Sequence, residues 1–211
     1  MTTLHRLPGT PDTILHAELM RLPILQYDGS ICLVATATES QRALREIQRE
    51  RVVGFDTEAR PAFRRGQAHA PALVQIAGAG CVYLFQLARL GNCQALAELL
   101  SNARLIKAGL ALDRDLAELQ KMFRFHAASM VDLSSVAKHH GLKQTGLRNL
   151  AGLFLGGRIT KGAQTSNWAA KRLSQKQICY AATDAWVCRE LYLRFEGLKW
   201  SAAASPRTTI P

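Results

Sequence analysis

Asp56 and Glu58 stand two residues apart directly after an apolar run, in the stretch VVGFDTEA. Side chains at positions i and i+2 of a β-strand point to the same face of the sheet, so a strand over residues 52–57 would place the two carboxylates side by side. Neighbouring carboxylates repel each other and are costly to desolvate unless a cation lies between them. The stretch therefore indicates either two solvated acids at a strand end or a metal site.

A third acid, Asp184, lies late in the chain in CYAATDAW, four residues after Tyr180. Residues four apart share one face of a helix. The helix is predicted over residues 175–197, because Ser174 and Gln177 form a capping-box pattern at its start and small alanines follow that allow close approach to a strand. The Tyr–Asp pair is either a hydrogen-bonding pair on the helix surface or part of a site.

The middle stretch LIKAGLALDRDLAEL carries two further acids, Asp113 and Asp115, and its pattern predicts a strand, a turn and a helix start. Either acid can cap the helix, and Asp115 with Glu118 fits a capping box. Hard divalent cations bind several oxygen ligands at once. A carboxylate from this segment could therefore join the other acids in a metal site, and the residues alone leave both interpretations open.

The elements that would position these acids predict a single α/β domain with a mixed sheet and a helix-rich C-terminal part. Residues 1–22 are predicted to form an arm, residues 23–200 one domain and residues 201–211 a disordered tail. Strands at 23–27 and 30–34 are expected to pair as a hairpin around Asp28 and Gly29. The other predicted strands cover 71–77, 81–86, 105–108 and 130–132, and helices cover 14–20, 38–50, 94–100, 113–122, 134–140 and 147–155.

The charge of the chain predicts a polyanionic partner. The 211 residues carry a formal net charge of +11, and acidic residues are absent from the long tracts 59–97 and 133–183, where only basic charges occur. A surface that follows a phosphate backbone needs such acid-free tracts. A basic surface without a nucleic-acid partner is the alternative.

Other features of the sequence exclude a membrane protein. No apolar run reaches the roughly 18 residues that a membrane span needs, and the N-terminus lacks the pattern of a signal peptide. We therefore expect a cytoplasmic protein. The five cysteines show no metal-binding spacing, and reduced thiols are expected.

Three motifs in order along the chain, FDTE, AGLALDRD and YAATDAW, resemble those of the DEDD exonucleases. Within that superfamily they are similar to the DEDDy branch, which includes RNase D and the Werner-syndrome exonuclease domain. The resemblance covers roughly residues 54–193, and FDTEARPAFRRGQ followed by PALVQIA is more similar to the Werner-type branch than to RNase D. It implies an RNase H-like (DnaQ-like) fold and removal of nucleotides from the 3′ end of DNA or RNA.

The resemblance also implies a role for each acid. Asp56 and Glu58 match the first motif, Asp115 the second, and Asp184 with Tyr180 the third. Two divalent cations, Mg²⁺ or Mn²⁺, are implied, the first held by Asp56, Glu58 and Asp184. Asp56 would bridge to the second cation, aided by Asp115, and Tyr180 would orient the attacking water.

Other roles are expected for several residues near the motifs. Asp113 is assigned as a local helix cap, Asp132 as the cap of the next helix and Trp168 as a packing residue. Ala111 stands where the family often has a glycine, which predicts a slightly altered helix approach. Phosphate contacts are expected from six basic residues, namely Arg60, Arg64, Arg65, Lys107, Lys161 and Lys171.

Two alternatives remain beside an exonuclease: a nucleic-acid-binding protein on an inactive nuclease fold, and a hydrolase of dinucleotides. The first would normally have lost a carboxylate, and this chain has lost none. The second needs few phosphate contacts, so the two basic tracts disfavour it. The choice between DNA and RNA, the preferred strand end and the oligomeric state are left open.

Overall fold

Apolar β-rich segments alternate with amphipathic ones, and in the computed structural model, which describes residues 11–61 and 69–200, they form six strands and seven α-helices. The strands are β1 (Ser30–Val34), β2 (Val52–Ala59), β3 (Pro71–Ala77), β4 (Cys81–Gln86), β5 (Ile106–Gly109) and β6 (Met130–Asp132). The helices are α1 (His16–Arg21), α2 (Ala37–Ile47), α3 (Gln94–Ser101), α4 (Leu112–Met122), α5 (Leu133–His139), α6 (Leu147–Leu155) and α7 (Gln175–Gly197).

All six strands form one mixed sheet in the order β1-β4-β3-β2-β5-β6. The pairs β2–β3 and β3–β4 are antiparallel, and the other neighbours are parallel. The predicted mixed α/β fold is thereby confirmed. β2 pairs with β5 over residues 52–54 and with β3 over residues 54–59, so the acids at its end have a paired neighbour on the β3 side only.

The two faces of β2 pack against different helices. Phe55 belongs to a core with buried residues of α2, α3 and α4, such as Leu44 and Leu96. The opposite face lies under α7, where a side chain on Gly54 would overlap the carbonyl oxygen of Ala185. The absence of a side chain at Gly54, together with the small Ala185, lets α7 pass directly over the strand. This close approach positions Asp184 above the end of β2.

α7 begins as predicted, since Ser174 and Gln177 form the expected capping box. Trp168 packs beside this helix with 1% of its surface exposed, which confirms it as a packing residue. All five cysteines are free thiols. In the part of the chain that the structure describes, no helix has the length and hydropathy to cross a membrane.

The predicted hairpin of strands 23–27 and 30–34 is wrong. β1 pairs in parallel with β4, and residues 23–27 form no strand but only an isolated bridge between Ile24 and Arg158. The Tyr27 amide donates a 3.0 Å hydrogen bond to the Thr183 hydroxyl on α7. Residues 23–27 are therefore held by α7 and by the loop after α6. Both of these lie more than 130 residues later in the sequence.

The start of α4 also differs from expectation. The N-cap is Ala111, with no side-chain cap, so the predicted cap by Asp113 is wrong, and the alternative of an Asp115–Glu118 capping box is excluded. Ala111 lies in the left-handed region at φ 51° and ψ 44°. Its amide donates to Asp132 at 3.2 Å, and the same carboxylate oxygen accepts from the Ser134 amide, which confirms Asp132 as the cap of α5.

Ala111→Gly is expected to raise the free energy of unfolding by about 1 kcal/mol, because glycine adopts the left-handed conformation without the steric cost that alanine pays. Thermal unfolding measures the change. Ala117→Gly is the matched control, because Ala117 is equally exposed but lies inside α4, where glycine lowers stability by about 1 kcal/mol. Equal losses of stability in both variants would contradict the prediction.

Candidate active site

Three carboxylates converge where β2 meets α7. Asp56 and Glu58 lie on the same face of β2, and Asp184 lies on α7, which packs against that face. One oxygen atom from each lies within 4.8 Å of the other two. Asp184 is only 6% exposed, and the other two are half-buried. The burial and the convergence disfavour the alternative of two solvated strand-end acids for Asp56 and Glu58, and the burial of Asp184 excludes a pair on the helix surface.

The electrostatics of this cluster favour a bound cation. Burial, followed by repulsion from Asp56 and Asp184, raises the pKa of Glu58 to about 9. Burial also raises the pKa of Asp184 to about 7 and that of Asp56 well above its ordinary value, with Asp184 adding repulsion at Asp56. Among the described residues, no lysine or arginine forms a salt bridge with any of the three. An all-oxygen ligand set of this kind fits hard divalent cations such as Mg²⁺ or Mn²⁺.

The raised pKa values predict that the metal-free protein loses stability as the pH rises. A carboxyl group with a higher pKa in the folded state keeps its proton where the unfolded chain has released it, so the free energy of unfolding falls with increasing pH. The affected range runs from about 4, the ordinary carboxyl pKa, to the pKa of about 9 at Glu58.

We therefore expect the melting temperature in EDTA to fall across this range, and added Mg²⁺ to restore it most strongly at the alkaline end. Melting curves measured at several pH values test this expectation. Asp184→Asn is the control, because it removes one of the titrating groups and should make the decline shallower. A melting temperature that does not change with pH would contradict the prediction.

Tyr180 and Asp115 lie beside the cluster and complete the predicted set. Tyr180 lies one helical turn before Asp184, and burial together with the nearby acids raises the pKa of Tyr180. Asp115 is half-buried, and burial raises its pKa, while the neighbouring Thr57 hydroxyl lowers it. Its charge raises the pKa of Asp56 and of Glu58, although it is not one of the three tightly grouped acids.

The six basic residues predicted to contact phosphates comprise exposed residues, residues outside the described ranges and one buried residue, Lys107. Arg60, Lys161 and Lys171 are exposed, whereas Arg64 and Arg65 lie outside the described residues.

Lys107 requires a correction, because it is completely buried on β5 and cannot contact a phosphate. Its ammonium group donates to the Asn102 carbonyl at 2.7 Å, and burial lowers the pKa of Lys107 to about 8. The sequence showed a lysine in a short strand but not that both sides of this strand are covered.

Two cavities flank Tyr180 and Asp184, and their linings include polar residues that sequence reasoning did not assign. One, of about 380 Å³, is lined by Arg148, Asn149 and Gln164 together with Lys161. The other, of about 280 Å³, is lined on one side by residues 24–26 and on the other by α7. The position of Arg148 in the acid-free tract was the available signal, but its proximity to the acids depends on how α6 packs against α7.

Comparison with known proteins identifies the type of fold and its relatives. A family model described as 3′-5′ exonuclease matches residues 31–198. The chain is 31% identical over 192 residues to the mouse bifunctional 3′-5′ exonuclease/ATP-dependent helicase WRN, covering 84% of this chain and 13% of that protein. It is also 31% identical to a 3′-5′ exonuclease of Arabidopsis thaliana, covering 81% of this chain and 65% of the relative.

A ribonuclease D of Gluconacetobacter diazotrophicus is 30% identical, with 76% of this chain and 41% of the relative covered. The chain thus spans between 13% and 65% of the length of these three curated relatives.

Solved structures confirm the architecture. The Nibbler EXO domain of Aedes aegypti superposes with a TM-score of 0.74 at 25% identity, covering 82% of this chain and 92% of that one. Escherichia coli RNase D superposes with a TM-score of 0.69 at 19% identity, covering 80% and 46% respectively. The predicted RNase H-like fold is confirmed by this likeness.

Proposed function

This chain belongs to the 3′-5′ exonuclease family, and we propose that it removes nucleotides from the 3′ end of a DNA or RNA strand by metal-dependent hydrolysis. The convergence of Asp56, Glu58 and Asp184 within 4.8 Å carries this proposal. An inactive binding protein would not need three mutually repelling carboxylates that are withdrawn from solvent to this extent. Repulsion within such a cluster lowers the stability of the metal-free protein, and a bound cation would offset that repulsion.

The carboxylates are proposed to hold two divalent cations, Mg²⁺ or Mn²⁺. Asp56, Glu58 and Asp184 would hold the first, and Asp56 together with Asp115 the second. The charge of Asp115 raises the pKa of Asp56, and this electrostatic contact between the two acids favours the division. When bound, such a pair of cations activates a water molecule and neutralises the charge that develops on the leaving 3′ oxygen.

Tyr180 is proposed to orient the attacking water. A phenol has an ordinary pKa of about 10, and burial together with the nearby acids raises the pKa of Tyr180 further in the metal-free protein, which favours a positioning role over that of a general base. Tyr180 and Asp184 line the same cavity, so the Tyr180 hydroxyl is close enough to the proposed cation site to hold a water molecule by hydrogen bonding.

Phosphate groups of the substrate are proposed to lie along the exposed basic residues. Lys161 and Arg148 line the cavity that reaches Tyr180 and Asp184, and Arg60 follows the acidic end of β2. Arg64, Arg65 and Lys171 are proposed as further contacts. We also propose that residues 23–200 form one exonuclease domain preceded by an arm over 1–22. The cytoplasmic location stays a prediction.

Digestion of matched DNA and RNA strands labelled at the 5′ end tests the activity. We expect a ladder of shortened products with Mg²⁺ or Mn²⁺, and resistance of strands whose 3′ hydroxyl is blocked. Rapid cutting of circular single strands would contradict the 3′-5′ direction. Faster hydrolysis of a dinucleotide than of the longer strands would favour a dinucleotide hydrolase, and binding without any cleavage would favour the inactive fold.

A further inference from the structure

Gln75 is a polar residue in the middle of the otherwise apolar strand β3. It is completely buried, and neither its amide oxygen nor its amide nitrogen has a hydrogen-bond partner. A buried amide without a partner is unfavourable, because it has lost its hydrogen bonds to water. Buried polar groups in native proteins are almost always satisfied, so an unpartnered amide at this position requires an explanation.

The register of the sheet places Gln75 directly opposite Asp56. Residues paired in this way point to the same face of an antiparallel sheet, with Cβ atoms about 5 Å apart. That face is the one covered by α7, because Leu73 and Ala77, two residues away on either side, pack with Ala181 and Ala185. Gln75 therefore lies beside the carboxylate cluster, on its inner side and away from solvent.

We propose that Gln75 is a positioning residue for Asp56, whose carboxylate accepts a hydrogen bond from the Gln75 side-chain amide when the site is loaded with cations. This inference rests on the proposed function. A fully charged carboxylate is a stronger acceptor than a neutral group. Of the residues paired with β2, Gln75 is the one directly opposite Asp56, so its amide can donate to the Asp56 carboxylate and fix the orientation of that side chain. Residues that orient metal ligands in this way tune both metal affinity and activity.

Gln75→Met is the informative change. Methionine has a similar length and flexibility but cannot donate a hydrogen bond. If Gln75 orients Asp56, the affinity for Mn²⁺ and the value of kcat should each fall about ten- to a hundredfold, with little change in KM for the strand. The melting temperature in EDTA should stay the same or rise, because the change also removes a buried amide without a partner.

Leu84→Met is the matched control, because Leu84 is also completely buried and faces Gln75 from β4. It should leave Mn²⁺ affinity and kcat at wild-type values. Mn²⁺ binding is measured by electron paramagnetic resonance, melting by circular dichroism, and kcat and KM by digestion of a labelled strand. Gln75→Leu is made in parallel, so that one poorly folded variant does not decide the outcome.

The results separate the two proposals. Wild-type protein that neither binds Mn²⁺ nor cuts a strand would overturn the proposed function. Active wild-type protein combined with a folded Gln75→Met or Gln75→Leu variant of unchanged Mn²⁺ affinity and kcat would overturn the role of Gln75 alone. Weakened Mn²⁺ binding with undiminished stability supports it, since a purely structural residue would lower stability instead.

Discussion

Asp184→Asn is expected to lower the rate of strand cleavage about a thousandfold or more, while the affinity for the strand largely persists. The asparagine keeps the size of the side chain and one carbonyl acceptor, but it removes a negative charge that is proposed to hold a cation. Loss of a ligand charge removes the stabilisation of the transition state that the cation supplies. Single-turnover cleavage of a labelled strand measures the rate, and a binding titration with the same strand measures the affinity.

The same substitution is expected to raise the melting temperature of the metal-free protein at neutral pH. Removing one buried carboxylate lowers the repulsion that raises the pKa values of Asp56 and Glu58. A lower activity combined with a higher melting temperature distinguishes a functional charge from a structural one. An ordinary surface pair with Tyr180 would change neither quantity strongly.

Asp113→Asn is the matched control in the middle segment. Asp113 is exposed, whereas Asp115 is half-buried near the cluster. We expect little loss of activity from Asp113→Asn and a large loss from Asp115→Asn. The opposite result would mean that the middle motif is assigned to the wrong aspartate. Full activity of Asp184→Asn would mean that the whole site is misassigned.

Removal of divalent cations is expected to abolish cleavage completely, and addition of Mg²⁺ or Mn²⁺ to restore it. The acids carry the wrong charge to stabilise a leaving oxygen, and Lys161 and Arg148, which line the neighbouring cavity, are proposed to bind phosphate and cannot activate the attacking water. The measurement is strand digestion in EDTA followed by titration of each metal.

The cations should also raise the melting temperature, because ligands that bind only the folded state stabilise it. This second readout distinguishes cation binding at the site from an effect of metals on the substrate. Asp184→Asn should show a smaller rise. Cleavage that continues unchanged in EDTA would remove the metal-dependent mechanism.

Much of the site could be predicted from the sequence because its components are local. The i, i+2 spacing of Asp56 and Glu58 and the i, i+4 spacing of Tyr180 and Asp184 determine which face of a strand or helix each side chain takes. The capping box at Ser174 determines where α7 begins. The resemblance of the three motifs to those of the DEDD exonucleases then indicated which acids belong together. The apolar strands PALVQIA and CVYLFQ were predicted with their observed bounds.

Other properties depend on contacts between distant segments, and only the tertiary structure decided them. Residues 23–27 pair with the loop after α6 instead of forming a hairpin, because β1 has its partner in β4. Lys107 is buried because β5 is covered on both sides. Ala111 has a left-handed conformation in which its amide donates to Asp132, 21 residues later. The proposed role of Gln75 depends on the register of β2 and β3, which places it opposite Asp56. Sequence periodicity assigns a side chain to a face, but burial and pairing depend on which element covers that face.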